Sequence, residues 1–347
     1  MFGRFLALSL ILLVLAVGAL SGCGVLRTDT EKFDQTYTVT AGTKIDISNT
    51  DGDINVSAWD IDHAEVSATK STSWGTAELE KVEIHVDTAG GLKIETKVLQ
   101  KNARVSVSYE IKIPKNSVLD TVTTAAGKIS LDGVSGEDVT ITTSNGGIYV
   151  KGGSGHITAT SSNGKIELDG TSGEATLVTS NGDVLVTNKK VGNITATTSN
   201  GGIEIKDSKG DVTLDSSNGA IKVTNLDGYV LRAKTSNGPI NIKKTTGIIV
   251  AETSNYNVTA EVYTVRDPGT TIKTSRGSIE LYLSASLNAS IEMKASSGEI
   301  SIHSIPRVTT EGPTDSNYFK GVLGDGGSRI YVETTNGDIE VSKLETT

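Results

Sequence analysis

Apolar residues in this chain recur at every second position in short runs, and the runs themselves return every 18 or 19 residues. Ile157, Ala159 and Ser161 lead into Ser162-Asn163-Gly164, and Ile166 and Leu168 follow. Such alternation marks a half-buried strand, so each unit predicts two short strands joined by a turn. The turn asparagines are Asn145, Asn163, Asn181, Asn200, Asn218, Asn237 and Asn255, with successive differences of 18, 18, 19, 18, 19 and 18. Asn-Gly suits a turn that needs positive φ. A second glycine closes each unit, at Gly136, Gly155, Gly173, Gly192, Gly210, Gly228 and Gly247. Two turns in a fixed period describe a coil, and stacked coils bury a continuous core that no single unit has. The expected fold is all-β, a right-handed parallel β-helix (β-solenoid) of about ten 18–19-residue rungs; the bias of parallel crossovers sets its hand.

The register continues outside the regular block. Ile45/Ile47 and Ile54/Val56 flank one turn, Val122 and Ile129/Leu131 another, and Ile330/Val332 and Ile339/Val341 a third near the C-terminus. The solenoid is therefore expected over residues 36–343. Within it, 36–125 reads as an irregular N-terminal β cap, 126–302 as rungs, 303–328 as a loop insertion and 329–343 as the final rung. Stack ends present unpaired strand edges and need covering. Trp59 and Trp74 are the only tryptophans, and both fall in the cap, as candidates to plug the core there. The insertion carries Tyr318 and Phe319, either a surface-recognition loop or a cover for the C-terminal edge.

Composition narrows the picture. Aromatics make up 4% of the chain while glycines number 38, so the core must be thin and filled by Ile, Val, Leu, Ala and Thr. Arg4, the apolar run Phe5–Leu20 and Ser21-Gly22-Cys23 have the form of a secretory signal peptide. Leu20-Ser21-Gly22-Cys23 resembles a lipobox, which implies cleavage before Cys23 and lipidation of that cysteine. Residues 1–23 are then the signal peptide ending at the lipidated cysteine, and 24–35 a polar tether. Cys23 is the only cysteine, so no disulfide is available. Net charge is −9, and loss of Arg4 makes it −10 in the processed chain. An acidic body lacks the basic footprint of a nucleic-acid binder. The expected location is lipid-anchored to a membrane, facing the extracellular or periplasmic side.

Candidate chemistry is sparse. His63, His85, His156 and His303 are scattered, with no metal-ligand spacing around them. Asp51, Asp53 and Asp183 lie near turns but outside the glycine-rich nonapeptide of calcium-binding β-rolls. Neither a Ser-His-Asp constellation nor a phosphate loop is visible. No cofactor, metal or catalytic residue is therefore expected. Outward threonines, as in Thr140/Thr142, Thr158/Thr160 and Thr195/Thr197, resemble the arrays of ice-binding solenoids, but Val178 and Asp215 break the second column.

The tandem Thr-Ser-Asn-Gly-x-Ile-x-Val units, the lipobox and the closing Gly327-Ser-Arg-Ile-Tyr-Val-Glu-Thr-Thr-Asn-Gly-Asp-Ile-Glu-Val341 segment together resemble the putative-adhesin β-strand-repeat family, a prokaryotic envelope domain of unknown function. The resemblance spans about residues 36–343 and implies surface binding, without functional residues to carry over. The expected function is a non-enzymatic, lipid-anchored adhesin or envelope-structural module, with a glycan or an envelope protein as ligand. Two other classes fit the same fold: a polysaccharide-binding or polysaccharide-processing β-helix, and an envelope-stress or assembly partner.

Overall fold

The computed structural model describes residues 28–305 and 307–345. The proposed signal peptide, Cys23 and the first residues of the expected tether lie outside the described residues. Two long sheets face each other, one of 15 strands and one of 16, and the coil alternates between them. In a middle rung, Ser154–Ser161 lies in the larger sheet and Ile166–Asp169 in the smaller. Each strand pairs in parallel with its counterpart one period on, as in Ile157↔Ala175 and Ile166↔Val184. The fold is a parallel β-solenoid. Ile157, Ala159, Ile166 and Leu168 are all buried, so one rung closes its thin core with four small or branched side chains.

Counted along either sheet, thirteen rungs pair in parallel, more than the regular sequence block suggests. The extra rungs come from segments expected to be irregular. Lys44–Ser48 with Ile54–Trp59 forms one rung, and Leu92–Val98 with Ser106–Pro114 another. Their spacing is irregular because the second rung stacks outside the first, although it comes later in the chain. The same inversion occurs at the other end. Arg329–Asn336 and Ile339–Lys343, expected as the final rung, insert between the rung at 270–283 and the rung at 289–303. At each end the outermost rung is thus one whose position along the chain does not match its position in the stack.

The caps are antiparallel additions. At the N-terminal end Asp29–Thr38 pairs with His63–Thr72, which pairs with the outermost rung, while Val82–Asp87 covers the other sheet. Residues 29–35 are therefore strand, not tether, because their backbone groups complete a sheet edge. The tryptophans do not plug the core. Trp74 is 66% exposed under the Arg104 guanidinium, and Trp59 is half-buried, its indole N–H donating to the His63 carbonyl at 2.9 Å. Leu79, Val82 and Val105 close that end instead.

At the C-terminal end the expected loop insertion forms strands Val308–Thr310 and Tyr318–Leu323, the latter antiparallel to Ala289–Ala295. Phe319 lies opposite Met293 and is buried. The pair Tyr318/Phe319 covers the edge and does not form a free recognition loop, since burying the Phe319 ring seals the apolar end of the stack.

Candidate functional site

The turns have an internal logic. In each regular rung a buried hydroxyl sits two residues before the asparagine. Thr179 Oγ1 donates to the Gly164 carbonyl of the preceding rung at 3.0 Å and accepts from its own Gly182 N–H at 3.2 Å. Beside it the asparagine amides form a ladder: Asn163 Nδ2 donates to Asn145 Oδ1 at 2.8 Å, and the pattern runs on to Asn255. Positive φ is not the reason for glycine at this turn; Gly164 and Gly182 are absent from the left-handed region. Instead a Cβ on Gly182 would strike the Gly164 carbonyl oxygen. Left-handed backbone belongs to the other turn, as at Gly173 with φ 97°.

Because the inward and turn positions are occupied by stacking, variation is left to the outer faces. On the larger sheet Thr121, Thr140, Thr158, Thr176, Thr195 and Thr213 align as one column across six rungs. Beside them run Thr123, Thr142, Thr160, Val178, Thr197 and Asp215. Further along, that second column becomes Lys234, Glu252, Lys273, Glu333 and Lys294, alternating in sign. Opposite charges on facing strands stabilise a sheet, whereas like charges would repel.

The outer face of the smaller sheet carries a groove of about 530 Å³. Asn55, Ser130, Tyr149 and Glu167 are neighbours in register on four consecutive rungs. Ser130 is the short member of this column, and the gap above it makes the depression. One wall is the Tyr149 ring, 36% exposed, with Lys128 Nζ 5.6 Å from its centroid. The ring lies back over Gly147, where an added Cβ would come within 2.7 Å of Cε2. The opposite wall is Asn55, whose amide donates to Glu110 Oε1 at 2.6 Å. Asp132 and Asp169 flank Lys151 along the second column. Asn188 and Thr187 donate to Asp169 Oδ1, each at 2.9 Å, and hold its carboxyl below the ordinary carboxylate value. Asp169 is thus an ionised acceptor, the opposite of a general acid held protonated.

The residues singled out from the sequence do not converge here. Asp53 Oδ1 accepts the Lys128 N–H at 2.8 Å and Asp183 Oδ1 the Gly202 N–H at 2.7 Å, so both serve rung stacking. His63 packs edge-on against Trp59, His156 lies 3.1 Å from Asp138 and His303 3.5 Å from Glu340. Among the described residues, no group of three or more His, Cys, Asp or Glu side chains is placed to hold a metal ion. No helix among them is long and apolar enough to cross a membrane. Tyr149 is not among the residues the sequence pattern singles out, since one outward aromatic in a strand carries no signal by itself.

A search of curated proteins found no match. Three solved structures align with 90% of this chain. A "putative cell adhesion protein" from Clostridium sporogenes is 11% identical, with 100% of its own chain covered and a TM-score of 0.21. A "putative adhesin" from Bacteroides fragilis and a "putative lipid binding protein" from Parabacteroides distasonis are each 14% identical over 97% of their chains, with TM-scores of 0.30 and 0.29. Scores this low add nothing to the architecture read from the strands. The Toastrack DUF4097 family profile matches residues 80–210 and 176–342, together most of the stack, and the chain belongs to that family.

Proposed function

We propose that this protein is a lipid-anchored, non-enzymatic recognition module of the cell envelope, of adhesin type. One observation carries the reading: the repeating side chains are committed to holding the stack, while the Tyr149 groove presents an aromatic ring among hydrogen-bonding groups on an outer face. Sites of this make-up suit binding, since a rigid scaffold positions contacts in advance. Asp169, held ionised by Asn188 and Thr187, offers a hydrogen-bond acceptor to such a ligand.

The anchor is a separate part of the proposal and rests on Leu20-Ser21-Gly22-Cys23. Cys23→Ser should leave an unprocessed or soluble precursor on membrane fractionation. A variant that still enters the detergent phase in processed form would remove the lipid anchor from the reading. Crosslinking in the intact envelope, followed by recovery of this chain, should return a bound glycan or protein. Shortened products released from purified polysaccharides would instead identify an enzyme.

A further inference from the structure

From the shape and charge of the Tyr149 groove we infer that it binds a neutral oligosaccharide of pyranose units, one sugar ring stacking on the tyrosine. The inference rests on the groove being a recognition site and adds the chemistry of what is recognised. An aromatic ring offers a flat apolar surface, which suits the C–H face of a pyranose; the hydroxyls on the sugar's rim need acceptors and donors beside it. Here the Asn55–Glu110 pair stands across the Ser130 floor from Tyr149. Asp132 lies in the second column of the same rung as Ser130. The ring lies close over Gly147, with Lys128 Nζ 5.6 Å from its centroid.

Charge selects among glycans. The groove is lined by four carboxylates, Glu110, Asp132, Glu167 and Asp169, against two lysines, Lys128 and Lys151. The balance of 2 − 4 gives −2, on a chain whose net charge is −9. Uronate or phosphate polymers would be repelled from such a surface, while an uncharged sugar chain would not. The groove runs across consecutive rungs about 4.8 Å apart, so a chain of several sugars has room to lie along it.

The test uses the soluble chain from residue 24 onward and four probes: cellohexaose, chitohexaose, mannohexaose and oligogalacturonate. Titration calorimetry should detect binding of at least one neutral hexamer, with oligogalacturonate at least ~10-fold weaker at low salt. Tyr149→Ala should weaken binding ~10-fold or more, and Tyr149→Phe, which keeps the flat face, should stay within ~3-fold of the parent. Ser130→Lys, which fills the floor, should abolish it, while circular dichroism and melting confirm that each variant folds. No binding of any neutral hexamer, equal binding by Tyr149→Ala, or tighter binding of the galacturonate would each overturn the inference. If envelope crosslinking still returns a partner in that case, the recognition-module reading stands and only the sugar assignment falls.

Discussion

Lys189 is 1% exposed in a turn where the corresponding buried residue of nearby rungs is Thr171, Ser208, Leu226 or Thr245. Its ammonium donates to the carbonyls of Gly173 and Val191. Burial still pushes its pKa down from 10.5 to about 8. A lysine shifted so far costs the fold up to about 3 kcal/mol while it stays charged. Between about pH 8 and 10.5 the unfolded chain holds the proton that the folded chain has released, so this group makes stability rise with pH across that window. Lys189→Met should raise the urea midpoint at pH 7 by the equivalent of ~1–2 kcal/mol and remove that rise; an unchanged pH profile would contradict it. Tyr109 is the opposite case, a fully buried phenol pushed up to about 12 by burial, with its hydroxyl 2.7 Å from Thr96 Oγ1. Thr96 itself donates to Asn49 Oδ1. Tyr109→Phe should cost about 1 kcal/mol by leaving that hydroxyl without its partner, measured by denaturant unfolding.

At the scale of the strand and its turn, the tolerance of each position follows from what the neighbouring rung presents. A Cβ on Gly201 would meet the Gly182 carbonyl oxygen. Gly201→Ala should therefore destabilise by ~2 kcal/mol or more, although no left-handed backbone is involved. In the following strand Ile203 is buried and Glu204 faces outward, bridging Lys206 and Lys222 at 2.8 and 3.1 Å. Ile203→Ala should cost roughly 2–5 kcal/mol, and Glu204→Ala well under 1, as is usual for surface ion pairs. Equal losses would mean that the inward register is wrong. The Phe319 strand is likewise a cover whose removal has a readable effect. Phe319→Ser should expose the Ile291/Met293 end of the core and show as concentration-dependent association in sedimentation, with the middle rungs still folded.

For the whole molecule, thirteen rungs at ~4.8 Å make a stack ~58 Å long before the caps. A sphere of the same residue number would have a radius of gyration near ~20 Å. Scattering from the soluble form should give a larger radius and a distance distribution with a long tail; a symmetric profile would sink the architecture. Circular dichroism should be almost purely β, because the described residues hold only one short 3₁₀ segment, Thr76–Lys81. Stability should also be distributed along the stack, since each rung contacts chiefly its neighbours.

What the sequence by itself determined was everything that depends on a period. Alternation at Ile157, Ala159, Ile166 and Leu168, repeated every 18 or 19 residues, dictates which faces are buried and that successive copies stack. Periodicity is a local signal, so it survives without knowledge of neighbours. Only the tertiary structure decided the order of rungs at the two ends, because inserting Arg329–Val341 between earlier rungs leaves no trace in a one-dimensional register. It also decided why the turn glycines are glycine. Close approach of the rung below is a contact between residues 18 or 19 apart, and a turn motif reads identically whether φ or crowding demands it. The Tyr149 groove was hidden for the same reason. A tyrosine among outward residues is unremarkable in one strand, and it becomes a wall only when Ser130 of the adjoining rung leaves a gap beside it.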